Sequence, residues 1–82
     1  MPPPEASWRV IAPSLPVATV EEAARRDGFL VLNLDVRATQ QAAISLYENA
    51  GYVRYAEHPQ YARVDDDWVA GYFYYKDLQG AE

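Results

Sequence analysis

The sequence predicts a single α+β domain with a mixed sheet, whose elements follow one another in the order β-α-β-α-β-β. Three observations lead to this prediction. Apolar residues recur with helical spacing within residues 39–51, short runs rich in β-branched and aromatic residues lie on both sides, and 82 residues suffice for one small core only. We expect residues 1–7 to be a disordered, proline-rich tail and residues 8–82 to form the domain.

The first two elements are a short strand and a short helix. Residues 8–12 are β-forming residues followed by prolines, which predicts a strand. A helix is expected to begin at Thr19, because Thr19 and Glu22 have the spacing of a capping box and the acidic residues would lie in its first turn. Gly28 is its expected stop, since glycine readily adopts the left-handed conformation. So short a helix needs the sheet to hold it.

The next two elements carry the strongest patterns. Residues 29–36 start as a continuous apolar run and then alternate, which predicts the central strand. The second helix is expected to have Thr39 as its N-cap and to stop at Gly51. Its apolar face is formed by residues spaced i, i+3, i+4 and i+7, namely Ala43, Leu46, Tyr47 and Ala50. The strand-helix-strand order predicts that the first two strands are parallel.

The last part of the chain predicts an antiparallel pair. Residues 52–57 alternate, His58-Pro59 is expected to break the strand, and Asp65-Asp66-Asp67 to form a solvated turn before a long aromatic strand at residues 68–76. Nine of the eleven aromatic residues lie from Tyr47 onward. We therefore expect their rings to pack against the second helix or against another chain.

Composition limits the classes of partner. The net charge of -5, from 7 Lys+Arg and 12 Asp+Glu, gives no general attraction for nucleic acid or for an anionic membrane, so neither is expected as a partner. With no cysteine and a single histidine, His58, which we expect in a solvated turn, no metal site is predicted. No run approaches the roughly 18 apolar residues of a membrane-spanning helix, and the start does not resemble a signal peptide. We expect a cytoplasmic protein.

One segment resembles a known family. Residues 34–52, with the sequence LDVRATQQAAISLYENAGY, are similar to the C-terminal half of the GCN5-related N-acetyltransferases (GNAT). That family has a strand ending in hydrophobic, acidic, valine and arginine residues, an Asn-x-x-Ala-x-x-Leu-Tyr helix, and a glycine followed by an aromatic residue. Residues 57–61 and 72–78 look like its final hairpin, so the resemblance covers roughly residues 20–78. It implies an acyl-CoA N-acyltransferase-like half-fold.

The resemblance also implies an activity. Enzymes of this family transfer an acetyl group from acetyl-CoA to a small-molecule or protein amine by direct attack, with the co-substrate held in a V-shaped slot beside a splayed strand. Tyr47 matches the tyrosine taken to protonate the departing thiolate, and a phenol of pKa about 10 can do so at hydrogen-bond distance. Gln40 stands where the family commonly has an asparagine that contacts pantetheine, and Ala43 where a small residue lets the co-substrate approach the helix. Residues 15–18, Leu-Pro-Val-Ala, stand where the family has its glycine-rich pyrophosphate segment.

Alternatives remain open at this point. Tyr47 on an apolar helix face is equally compatible with a core aromatic residue. Asp35 and Glu57, each near a strand end, are both candidates for the base that takes the amine proton. Instead of an enzyme, the chain can be a non-catalytic interaction module, which forms a homodimer through its C-terminal aromatic hairpin or adds a strand to a partner's sheet.

Overall fold

The computed structural model describes residues 7–11 and 16–79, which form four strands and two helices. In chain order these are β1 (Ser7–Ile11), α1 (Val17–Arg26), β2 (Val31–Arg37), α2 (Gln41–Asn49), β3 (Val53–Val64) and β4 (Asp67–Asp77). The predicted α+β class and element order are confirmed. Ser7, which we assigned to the tail, is the first residue of β1, and the rest of that tail lies outside the described residues.

The four strands form one mixed sheet in the order β1-β2-β4-β3. β1 is parallel to β2, as predicted, while β4 is antiparallel to both β2 and β3. β2 is therefore an interior strand, and the last strand of the chain lies between two earlier ones.

Both helices pack on one face of the sheet. Because side chains alternate along a strand, β2 directs Leu32, Leu34 and Val36 toward the helices and Asn33 and Asp35 toward the opposite face. The core consists of the buried residues Val17, Val20, Ala24, Leu32, Leu34, Val36, Ile44, Tyr47, Tyr52, Tyr74 and Leu78. Neither helix in the described part of the chain has the length and apolar character needed to cross a bilayer.

α1 begins three residues earlier than predicted, counted from the predicted N-cap residue Thr19 to the observed one. Pro16 is its N-cap residue, no side chain caps it, and the Thr19 amide donates a hydrogen bond to the Pro16 carbonyl at 3.0 Å. The capping-box prediction at Thr19 is thus wrong, and the acidic residues lie beyond the first turn. The earlier start adds Val17 to the same buried face as Val20, so burial of apolar surface outweighs the local cap. Gly28, with a φ of 87°, is confirmed as the left-handed stop.

α2 has Gln40 as its N-cap residue, and the predicted cap, Thr39, lies in the preceding turn. The Gln40 side chain makes no capping hydrogen bond. The predicted stop is confirmed, since Gly51 has a φ of 96°. The helix therefore occupies the expected segment with a start shifted by one residue.

β3 is continuous through His58-Pro59, so the predicted break is wrong. Its register with β4 shifts between His58 and Ala62, which places a bulge at the proline. Pro59 lies in a bulge of an outer strand, which is where a sheet accommodates a residue that has no amide hydrogen to donate.

The hairpin between β3 and β4 turns at Asp65 and Asp66. Both residues have a positive φ, 50° and 69°, as tight two-residue hairpin turns require. The predicted turn is confirmed for these two residues, and Asp67 is the first residue of β4.

Candidate active site

α2 brings the three residues implied by the resemblance onto one side of a helix. Gln40, Ala43 and Tyr47 are spaced i, i+3 and i+7, which places them one above another. Gln40 is exposed at the start of the helix, Ala43 is half-buried against the core, and Tyr47 is 2% exposed. The side therefore runs from an exposed amide to a buried phenol.

Tyr47 is held by two other aromatic residues. Its ring centroid lies 6.1 Å from that of Tyr52 and 6.1 Å from that of Tyr74, with tilted and edge-on geometry respectively. Burial raises the pKa of Tyr47. This packing confirms the expectation that aromatic rings of the final strands pack against the second helix.

The Tyr47 hydroxyl differs from the other core polar groups. Every fully buried side-chain nitrogen or oxygen of the described residues has a hydrogen-bond partner, whereas the Tyr47 hydroxyl has none within residues 16–79. The hydroxyl is therefore not fully buried, and the small exposed part of this residue includes it. A fixed ring with a reachable hydroxyl is compatible both with proton donation and with a core aromatic residue.

A cleft of about 480 Å³ opens between the first turns of α1 and the second half of α2. Its size is within the usual range for small-molecule sites, about 300–1,000 Å³. Leu46, the neighbour of Tyr47 in sequence, contributes to its wall, but Tyr47 itself does not. The lining is mostly apolar and consists of Pro16, Val17, Ala18, Glu21, Leu46, Ala50 and Lys76.

The polar end of this cleft is a cluster that the sequence reasoning missed. Glu21 is 7% exposed and accepts hydrogen bonds from the Tyr52 hydroxyl at 2.8 Å and from Lys76 Nζ at 3.1 Å. Lys76 also donates to the Ala50 carbonyl at 2.8 Å. Burial and the bond to Glu21 raise the pKa of Tyr52 well above its usual value. The cluster ties α1, the end of α2 and β4 together.

The slot implied by the resemblance is not seen in the described residues. All five residues of β1 pair with β2, from Ser7 with Val31 to Ile11 with Asp35. The two strands do not diverge within residues 7–11, and residues 12–15 lie outside the described residues.

The two candidate bases occupy different environments. Asp35 is 1% exposed on the sheet face opposite the helices and accepts a hydrogen bond from the Tyr61 hydroxyl at 2.7 Å. Glu57 is exposed on β3. His58 is exposed, as predicted, but it lies in a strand rather than in a turn, and its Nδ1 accepts from the Gln60 amide at 3.0 Å.

Comparison with known proteins identifies the fold. No family model matches the sequence, and no curated protein is significantly similar to it. Among solved structures, yncA from Salmonella typhimurium, assigned as an acetyltransferase and solved with its cofactor acetyl-CoA, matches with a TM-score of 0.72 and 23% identity. The match covers 79% of this chain and 38% of that one.

Two further solved acetyltransferases match the fold of this chain to a similar extent. The ribosomal-protein-S18-alanine N-acetyltransferase from Escherichia coli matches with a TM-score of 0.70 and 24% identity, over 80% of this chain and 43% of that one. A GNAT-family acetyltransferase from Streptococcus pneumoniae matches with a TM-score of 0.68 and 25% identity, over 74% and 38% of the two chains.

These matches define the class: the described residues have the fold of the GNAT acetyltransferases. The chain spans about two fifths of the length of the structures it matches, so it corresponds to part of such a fold. The half-fold implied by the resemblance is therefore confirmed.

Proposed function

We propose that this chain belongs to an N-acetyltransferase that transfers the acetyl group of acetyl-CoA to an amine by direct attack. The observation that carries the proposal is α2, which in a GNAT fold presents Gln40, Ala43 and Tyr47 on one side. The acceptor is a small-molecule or protein amine, and a substrate such as acetyl-CoA favours a cytoplasmic location.

In the proposed reaction the lone pair of the amine forms a bond to the thioester carbonyl carbon. As the resulting zwitterionic adduct collapses, the C–S bond breaks and the sulfur takes a proton from the Tyr47 hydroxyl. The amine nitrogen gives up its extra proton to solvent, and the Tyr47 phenolate takes a proton back from solvent. Burial raises the pKa of Tyr47, so its phenol is protonated at neutral pH, as a free phenol of pKa about 10 also is. Packing against Tyr52 and Tyr74 fixes the ring, so the donor needs little reorganisation.

The cleft between α1 and α2 is an apolar surface next to the proposed site, and Gln40, Ala43 and Tyr47 are not among the described residues that line it. Its walls between α1 and α2 are apolar, and the small Ala50 and Ala18 leave room for a thin chain. Gln40, at the exposed start of α2, offers an amide to the pantetheine, and Ala43 leaves space beside the helix. Lys76 is the one cation among the described lining residues, and its charge is paired with Glu21.

Isothermal titration with acetyl-CoA, followed by an assay of free thiol release with an amine panel, tests the proposal. We expect heat at micromolar to millimolar ligand, and we expect Tyr47→Phe to retain binding while turnover falls about 100-fold, because only the proton donor is lost. Tyr72→Phe is the matched control, since it removes a hydroxyl from a half-buried tyrosine outside the site. No heat at millimolar acetyl-CoA with folded protein contradicts the proposal.

A second candidate function is a non-catalytic homodimerisation module. It is favoured by Tyr55 and Tyr75, which are 58% and 39% exposed and contact one another on the sheet face opposite the helices. Sedimentation equilibrium at micromolar concentration tests it. A dimer that Tyr55→Ser converts to monomer supports this function, and a folded monomer at all concentrations rules it out.

A further inference from the structure

Tyr52, which packs against Tyr47, is fixed both at its backbone and at its hydroxyl. Its amide donates to the Tyr47 carbonyl at 3.0 Å, so the main chain joins the two residues. Its ring centroid lies 6.1 Å from that of Tyr47, and the residue is 4% exposed. At the far end of the side chain, the hydroxyl donates to Glu21 Oε2 at 2.8 Å. That bond restrains the side-chain torsions of Tyr52 that the main chain leaves free.

Glu21 is itself held in place. Its side chain is 9% exposed, and Lys76 Nζ lies 3.3 Å from Oε1 and 3.1 Å from Oε2. Lys76 also donates to the carbonyl of Ala50, the C-cap residue of α2, at 2.8 Å. The carboxylate that accepts from Tyr52 is therefore fixed relative to the helix that carries Tyr47. A hydrogen bond to a charged group from which most water is excluded is stronger than the same bond at the surface.

Tyr74, the second ring against Tyr47, is held by a more exposed group. Its ring stands edge-on to Tyr47 at a centroid distance of 6.1 Å, and its hydroxyl donates to Glu48 Oε2 at 2.9 Å. The side chains of Glu48 and of its other partner, Arg54, are 48% and 41% exposed. Water competes for an exposed carboxylate, so this bond restrains the Tyr74 ring less than Glu21 restrains Tyr52.

We propose that Glu21 is a positioning residue for proton donation by Tyr47, and that it acts through its hydrogen bond to Tyr52. This inference rests on the proposed function. No hydrogen bond within residues 16–79 fixes the Tyr47 hydroxyl, so the packing of the ring directs it. A proton donor has to lie about 3 Å from the atom it protonates, and a small misplacement costs much of the rate. Glu21 keeps the neighbouring ring still, and Tyr47 thereby keeps its orientation.

The first test follows the Tyr47 ring by NMR in protein without acetyl-CoA, so its result is independent of the transferase activity. The measured quantity is the rate at which the ring flips, obtained from its aromatic 1H–13C signals. Tyr52→Phe removes the hydroxyl and keeps the ring. We expect this variant to flip the Tyr47 ring about tenfold faster, the low end for loss of a hydrogen bond to a charged group. Tyr74→Phe is the matched change on the other side of Tyr47, and its effect should be smaller.

Glu21→Gln separates positioning from stability. Oε2 accepts from both Tyr52 and Lys76, and a glutamine oxygen can take its place, so the bond to Tyr52 is kept while the charge is lost. This variant should unfold more easily than the wild type, yet the Tyr47 ring should flip at the wild-type rate while the protein is folded. The positioning role is overturned if Tyr52→Phe leaves the flip rate unchanged, or if Glu21→Gln raises it as much as Tyr52→Phe does.

The second test measures acetyl transfer at saturating acetyl-CoA. Tyr52→Phe should lower kcat about tenfold and leave the KM for acetyl-CoA unchanged, because the geometry of the donor is altered and binding is not. In a Tyr47→Phe background the same change should have no further effect, since the residue through which it acts has lost its hydroxyl. Glu22→Gln, an exposed change on α1, should match the wild type. An equal loss of kcat in both backgrounds overturns the positioning role. Absence of transfer by the wild-type protein overturns the proposed function, and the flip rates then decide the role of Glu21.

Discussion

Replacing Glu21 by Gln should measure how much the buried polar cluster stabilises this small domain. Glu21 accepts from Tyr52 and Lys76 and lies 3.7 Å from Arg25. Glutamine retains an oxygen for Tyr52 but leaves the Lys76 ammonium beside a neutral amide. Hydrogen bonds to charged groups contribute about 1.5–3 kcal/mol. Because the side chains of Lys76 and Arg25 are 27% and 47% exposed, solvent compensates part of this loss, and we expect about 2 kcal/mol.

The assay is urea unfolding followed by far-UV circular dichroism. For a domain of this size the denaturant slope is about 1 kcal/mol per molar, so Glu21→Gln should lower the midpoint by about 2 M. Glu22→Gln is the matched control, because it makes the same change in net charge at the next residue of α1, which is exposed. If the two variants unfold within about 0.5 kcal/mol of each other, the cluster does not stabilise the fold as reasoned.

Three further predictions concern neighbouring parts of the sheet. Gly71→Ala should lower the free energy of unfolding by about 1–3 kcal/mol in urea, because the new methyl group displaces the Tyr61 ring. Burial and the hydrogen bond to Glu21 raise the pKa of Tyr52, so the stabilisation of the fold by Tyr52 is complete below pH 10 and is lost as pH rises above it. Tyr52→Phe should therefore flatten the fall of the urea midpoint on the alkaline side. Hydrogen bonds from Tyr74 and Arg54 lower the pKa of Glu48, so the stabilisation that Glu48 contributes is present above pH 4.5 and is lost as pH falls below it. Glu48→Gln should therefore flatten the fall of the urea midpoint on the acid side.

Each of these variants has a control and a contrary result. Tyr55→Phe, an exposed tyrosine, should leave the alkaline profile unchanged, and an equal effect there contradicts the role of Tyr52. Glu57→Gln is the exposed control on the acid side. For Gly71→Ala, an unchanged midpoint together with an unchanged Tyr61 ring position by NMR contradicts the close approach.

The sequence predicted those features that depend on neighbours along the chain. The left-handed glycines after both helices and the two aspartates of the hairpin are local patterns, and they are confirmed. The predicted apolar face of α2 is confirmed only in part, because Tyr47 is buried as expected whereas Leu46 is 54% exposed and Ile44, which the prediction left out, is buried. The start of α1 was mispredicted because a capping box is also local, whereas the burial of Val17 depends on the sheet. Likewise, Pro59 is tolerated inside β3 only because that strand is at the edge, a fact of topology.

The site features that the sequence could not predict all involve distant residues. Glu21 meets Tyr52 and Lys76 across separations of 31 and 55 residues, and no periodicity in the sequence relates them. Tyr61 reaches Asp35 only through a bulge in β3. A signal was nevertheless present in Gly71, a lone glycine within an aromatic strand, which is typical of a close approach by another group.

The strand order has a consequence for synthesis on the ribosome. When residues up to Val64 have been made, the segment that forms β3 has no strand to pair with, because β4, its one partner among the described strands, has not yet been made. The nascent chain can pair β1 with β2. The edges of β2 and of the aromatic-rich β3 that bind β4 stay unpaired until Asp77 has emerged. Completion of this sheet is therefore a late and concerted event, in which one strand joins two separate pieces at once.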